Sequence, residues 1–97
     1  MIKTVQVTQF TDFYYYRTQN GAEVDLVMLT PKGKMVCIEI KFSVAPTISK
    51  GFYQSVEDLQ PDFKYVITPS GERFDRQDGL RICPLSIFLE QELQRFD

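Results

Sequence analysis

Asp25, Glu39 and Lys41 are two hard-oxygen donors and a cation set close together in the sequence. They fall in GAEVDLVMLTPKGKMVCIEIKFS, residues 21–43, a stretch rich in strand formers that also carries Glu23. Two neighbouring carboxylates can share a divalent cation such as Mg²⁺, which takes oxygen ligands and keeps several waters. A cation held there activates water and stabilises charge on a phosphoryl group. A lysine on the same face then orients the nucleophile or steadies the developing negative charge. The plainer reading is a solvent-facing hairpin in which Glu23 and Lys41 form a cross-strand pair worth about 0–1 kcal/mol.

Which reading applies depends on the strands that carry these groups. Glu23–Thr30 and Lys34–Ser43 read as two long strands joined at Thr30-Pro31-Lys32-Gly33. Proline early in the turn and glycine at its end suit a type I turn closed by a glycine at positive φ, which is the three-residue hairpin loop. Side chains alternate along a strand, so Val36, Ile38, Ile40 and Phe42 form a core face. Met35, Cys37, Glu39 and Lys41 form the other, half-polar one. With Pro31-Lys32-Gly33 as the loop, Thr30 pairs with Lys34, Asp25 lies opposite Glu39, and Glu23 opposite Lys41. A slip of one residue would turn Asp25 toward the core. In the favoured register the two carboxylates face each other with Cβ atoms about 5 Å apart, which calls for a counter-charge. Lys41 or a divalent cation would serve, and the pattern leaves both open.

The remaining elements are predicted from the same rules. Phe13–Arg17 is an aromatic strand followed by a turn at Gln19-Asn20-Gly21. Ile48, Phe52, Val56 and Leu59 make one stripe of a helix over 48–59, capped by Thr47 or Ser49 and stopped by Pro61. Phe63–Thr68 is an apolar strand whose Val66 and Ile67 suggest a central place. Residues 69–79 form a polar loop, and Leu80–Cys83 a short strand. Leu85, Phe88, Leu89, Leu93 and Phe96 outline a second helix. The order predicts an α/β fold, a mixed sheet with helices packed on it. Residues 1–97 form one domain, with 1–12 its least defined segment.

Composition narrows the function. The net charge of −2 gives no overall attraction to nucleic acid or to anionic membrane. The absence of histidine excludes a Ser-His triad, a histidine base and a histidine zinc site. Two cysteines are too few for a disulfide framework or a four-sulfur zinc site. No apolar run is long enough to span a membrane, and MIKTVQVTQF lacks the pattern of a signal peptide. A cytoplasmic protein with reduced thiols is the default.

An acidic residue on one hairpin strand, E-x-K on the next and a helix after it resemble the PD-(D/E)xK nuclease superfamily. More narrowly, YYYRTQNGAEVDLV, CIEIKFSVAP, KGFYQSVEDLQPD and PLSIFLEQ are similar to a C-terminal domain of unknown function found in prokaryotic AAA-type ATPases. The similarity runs from about Phe13 to Leu89. It implies a restriction-endonuclease-like core and metal-dependent cleavage of DNA, with Mg²⁺ as cofactor and Mn²⁺ as its substitute. By this resemblance Asp25 and Glu39 match the metal-binding carboxylates, the Ile40 carbonyl completes the metal sphere, and Lys41 matches the catalytic lysine. Gln54 resembles a glutamine that some members place beside the site, although the tyrosine that often follows by one turn is replaced by Asp58.

The chain departs from the superfamily in having no helical pattern before Phe13, where a covering helix is usual, and no phosphate-binding loop of an ATPase. The core is therefore expected to be truncated at its N-terminus, leaving apolar sheet surface that a homodimer would bury. The alternative function is a non-catalytic interaction or dimerisation module of the same fold, associated with an ATPase domain. Elsewhere, the Tyr14–Tyr16 run reads as sheet packing and Cys37 as a small packed residue. Arg73, Arg76 and Arg81 are offset by Glu72, Asp75 and Asp78.

Overall fold

In the computed structural model, residues 12–19, 21–42 and 48–96 are described. The expectations for the first eleven residues, including the missing first helix, and for a Thr47 cap lie outside them. Within these bounds the chain forms β1 (Asp12–Arg17), β2 (Glu23–Leu29), β3 (Met35–Ile40), α1 (Lys50–Leu59), β4 (Phe63–Thr68), β5 (Phe74–Asp75) and β6 (Leu80–Pro84). A C-terminal helical segment, α2, starts as an α-turn at Leu85–Ile87. It widens to a π-turn over Phe88–Glu92 and tightens to a 3₁₀ turn over Leu93–Phe96.

The strands make one six-stranded mixed sheet in the order β1-β2-β3-β4-β6-β5. β1, β2 and β3 are antiparallel neighbours, whereas β3, β4 and β6 run parallel. The expected α/β class and the central place of Val66 and Ile67 both hold. The two-residue β5, within the polar loop, has too little pattern to read from sequence.

The Pro31-Lys32-Gly33 loop closes as expected. The Thr30 N–H donates to the Lys34 carbonyl at 2.9 Å, the Gly33 N–H donates to the Thr30 carbonyl at 2.9 Å, and Gly33 has φ 81°. Leu26, Val27, Met28 and Leu29 pair with Ile38, Cys37, Val36 and Met35, the register that the hydrophobic pattern requires.

Both faces of the sheet carry a buried core at its central strands, which corrects the view of one core face and one half-polar face. On one side Met28, Val36, Ile38, Tyr65, Ile67 and Cys83 pack against Phe88 and Leu93 of α2. On the other, Val24, Val27, Cys37, Val66 and Leu80 pack around Phe52 of α1, with Ile48, Val56 and Leu59 partly buried. Parallel strands joined by a helical crossover need cover on both faces, so Cys37 is packed, as expected, although its face is not the half-polar surface foreseen. Ser49 caps α1 by accepting the Phe52 N–H at 3.1 Å, and Gln60, in the left-handed region, ends the helix before Pro61.

Two further expectations need correction. Ile40 and Phe42, assigned to the core face, are 47% and 94% exposed, because the described helices cover that face only as far as Ile38. In α2, Leu85 and Leu89 are exposed although they lie on the expected apolar stripe. The Leu93 N–H bonds to the Phe88 carbonyl five residues back, and this π-turn brings Phe88 and Leu93 to the core together.

Candidate metal and phosphodiester site at the end of β3

Glu39 and Ile40 end β3, one of the parallel strands. The carboxyl ends of parallel strands are where open α/β sheets commonly bind ligands. Glu39 is buried at 8% exposure on the face that α1 covers. The Ser49 hydroxyl donates to its Oε1 at 2.6 Å, and Lys41 Nζ stands 3.7 Å from the same oxygen. Glu39 Oε2 is buried without a hydrogen-bond partner. A buried polar atom left unpaired costs about 1–3 kcal/mol, more if charged, so this oxygen lies where a missing partner would bind with gain.

Asp25 reaches the same place through a bulge. Tyr14 pairs with Val27 and Tyr16 with Val24, so Asp25 and Leu26 together stand against the single residue Tyr15. The described β2–β3 pairs stop at Leu26 with Ile38. There the Asp25 side chain takes over from the backbone, its Oδ2 accepting the Ile40 N–H at 2.7 Å. The aspartate thus lies against the peptide link between Glu39 and Ile40, rather than as the bare cross-strand partner that the register alone suggests. The next N–H, that of Lys41, points the other way and donates to the Ile67 carbonyl of β4. Strand alternation therefore places the Ile40 carbonyl on the edge facing Asp25.

The expected Glu23–Lys41 pair does not form. Glu23 instead accepts from Arg17 at 2.8 Å and from the Tyr15 hydroxyl at 3.1 Å. The Arg17 hydrogen bond holds its carboxyl below the usual range. Lys41 is turned to Glu39. Gln54 is exposed on α1 and donates to Asp58 at 3.0 Å, while Asp58 also accepts from Tyr16. The structure therefore brings Asp25, Glu39, Ile40 and Lys41 to one strand end and gives Gln54 a partner on its own helix.

The donor set fits a hard cation in kind, with two carboxylates, one of them holding an unpaired buried oxygen, and a backbone carbonyl. Among the described residues no group of three or more metal-ligating side chains forms, so waters or substrate oxygens would have to complete any coordination. No helix among the described residues is long and apolar enough to cross a membrane.

Ser49 is the site residue that sequence reasoning undervalued. It was legible as a helix cap, but its bond to Glu39 depends on the packing of α1 against β3. Arg73, Arg76 and Arg81 are offset by acids as the sequence suggested, since Arg73 and Arg81 both pair with Asp75, and Arg76 lies 4.0 Å from Asp78. The Glu92 partner of Arg73 and Arg81 was missed. Its signal was its place four residues after Phe88, on the buried side of α2.

Fold and site together define a mixed-sheet α/β domain with a carboxylate pair at the carboxyl end of a parallel strand. The chain belongs to the DUF4143 family, a domain of unknown function, which it matches over residues 1–88. It is 34% identical over 71 residues to an uncharacterized protein of Mycobacterium tuberculosis and, to the same degree, to one of Mycobacterium bovis. The match covers 73% of this chain and 16% of each relative, so the chain corresponds to about a sixth of their length. No solved structure matches it.

Proposed function

We propose that this domain is a PD-(D/E)xK nuclease-like phosphodiesterase that acts on DNA with Mg²⁺, or Mn²⁺ in its place. The observation that carries the reading is the buried, unpartnered Glu39 Oε2 at the strand end where Asp25 binds the Ile40 N–H. In this reading Asp25, Glu39 and the Ile40 carbonyl hold the metal. Once bound, Mg²⁺ supplies Lewis acidity toward water and a phosphoryl oxygen. Lys41, held near Glu39 when substrate is absent, turns to the scissile phosphate and steadies its negative charge. Gln54 leaves Asp58 to face the substrate. The resemblance to domains that follow an AAA-type ATPase suggests such a segment as the partner in a longer protein.

Calorimetry with Mg²⁺ and Mn²⁺, followed by cleavage assays on DNA, tests this. Asp25→Ala and Glu39→Ala are each expected to abolish metal binding, and Lys41→Ala to abolish cleavage while metal still binds. No heat from the wild-type chain at millimolar metal overturns the reading.

A second reading, a non-catalytic docking or dimerisation module, is favoured by the exposure of Ile40 and Phe42 beside the site, with Phe13 also 44% exposed. It expects a defined oligomer on sizing that Phe42→Asp disrupts and Asp25→Ala leaves intact.

A further inference from the structure

We infer that Ser49 is a positioning residue for Glu39, fixing which oxygen of that carboxylate is left to a cation. The inference rests on the metal-site reading above and extends it to a residue of α1. Ser49 Oγ holds two bonds with opposite roles, accepting the Phe52 N–H at 3.1 Å and donating to Glu39 Oε1 at 2.6 Å. Phe52 is fully buried in the core under α1, so the hydroxyl is held by the packed helix rather than by a free loop.

With a lone pair committed to Phe52, the single hydroxyl proton is directed at Glu39. Lys41 approaches the same Oε1, so the contacts on this carboxylate are one-sided. Oε1 is engaged and Oε2 is free. Rotation of the carboxylate would exchange the two oxygens, and the Ser49 bond opposes that rotation. The cap of α1 and the aim of Glu39 are therefore set by one group. Removing an outer hydrogen bond of this kind from a metal-binding side chain typically lowers affinity about 10–100-fold.

The test is Mn²⁺ affinity of the full chain by calorimetry, with urea unfolding run in parallel, for Ser49→Gly, Ser49→Ala and Ser49→Thr. Glycine is nearly as good a helix cap as serine, whereas alanine costs about 1 kcal/mol. Stability and positioning are thus separable. The expected result is that Ser49→Gly and Ser49→Ala both weaken Mn²⁺ binding about tenfold or more, although Ser49→Ala, which also loses the cap, is the more destabilised of the two. Ser49→Thr, which keeps a hydroxyl, is expected to stay within threefold of wild type. Wild-type affinity in Ser49→Gly overturns the inference, as does a Ser49→Thr chain of native stability that binds as poorly as Ser49→Gly. A wild-type chain that takes up no Mn²⁺ overturns the metal reading itself.

Discussion

The Tyr65 hydroxyl of β4 donates to Glu92 of α2 at 2.7 Å, joining the central strand of the sheet to its C-terminal cover. Glu92 is 1% exposed and also receives Arg81 and Arg73, the latter at 3.2 Å. Donors from β4, from β6 and from the loop before β5 meet one carboxylate, which ties the π-turn of α2 to β4 and β6.

Glu92→Ala should therefore be among the most damaging single changes in the chain. It leaves the buried Tyr65 hydroxyl and the Arg81 guanidinium without their shared acceptor. Arg81 keeps Asp75 at 2.6 Å, so the loss is that of hydrogen bonds to a charged group, about 1.5–3 kcal/mol each. Glu92→Gln keeps an acceptor and fills the same space, so it should cost less. Urea unfolding of the two variants measures both, and a loss in Glu92→Ala below that of Glu92→Gln would contradict this account.

Gly51 stands where α1 crosses the β1–β2 turn, and a Cβ built there would lie 2.6 Å from the Gly21 carbonyl oxygen. That neighbour is backbone and cannot swing aside. In an isolated helix alanine is favoured over glycine by about 1 kcal/mol, but here the contact reverses the sign. Gly51→Ala is expected to destabilise by about 1–3 kcal/mol, the usual cost of overpacking. A rise in the midpoint of thermal unfolding would refute the close approach.

Both cysteines are buried, and burial pushes each thiol up to about 11 from an ordinary 9.0. For Cys83 the nearby Glu92 acts in the same direction, after desolvation. The fold favours the neutral thiol. The stability this confers is complete below pH 9, where folded and unfolded thiols are both protonated, and is lost as pH rises through about 11. Urea midpoints should fall more steeply between pH 9 and 11 for wild type than for the Cys37→Ala/Cys83→Ala double variant. At neutral pH neither thiol should react with an alkylating reagent until the chain unfolds. Equal pH dependence of the two chains would show that the thiols do not contribute.

The hairpin was legible because two local signals agree on it. Pro31 and Gly33 suit one turn geometry, and Val36 and Ile38 require the same register. α1 was legible because Phe52, Val56 and Leu59 repeat at helical spacing. The bulge at Asp25 was hidden, since it depends on how β1 pairs with β2. The burial of Glu39 was hidden too, because nothing in the MVCIEI strand says that a helix will lie over both of its faces.

Strand periods, turn chemistry and the apolar stripe of α1 are properties of neighbouring residues, so sequence alone was enough to place Asp25 and Glu39 on adjoining strands and to recognise the α/β class. The contacts of those carboxylates are set by distant segments. Asp25 meets the Ile40 N–H because a bulge lets its side chain replace the backbone of β2, and Ser49 meets Glu39 because Phe52 seats α1 on the sheet. Side-chain hydrogen bonds act over about 3 Å, a distance that only the packed chain establishes between residues ten or fifteen places apart.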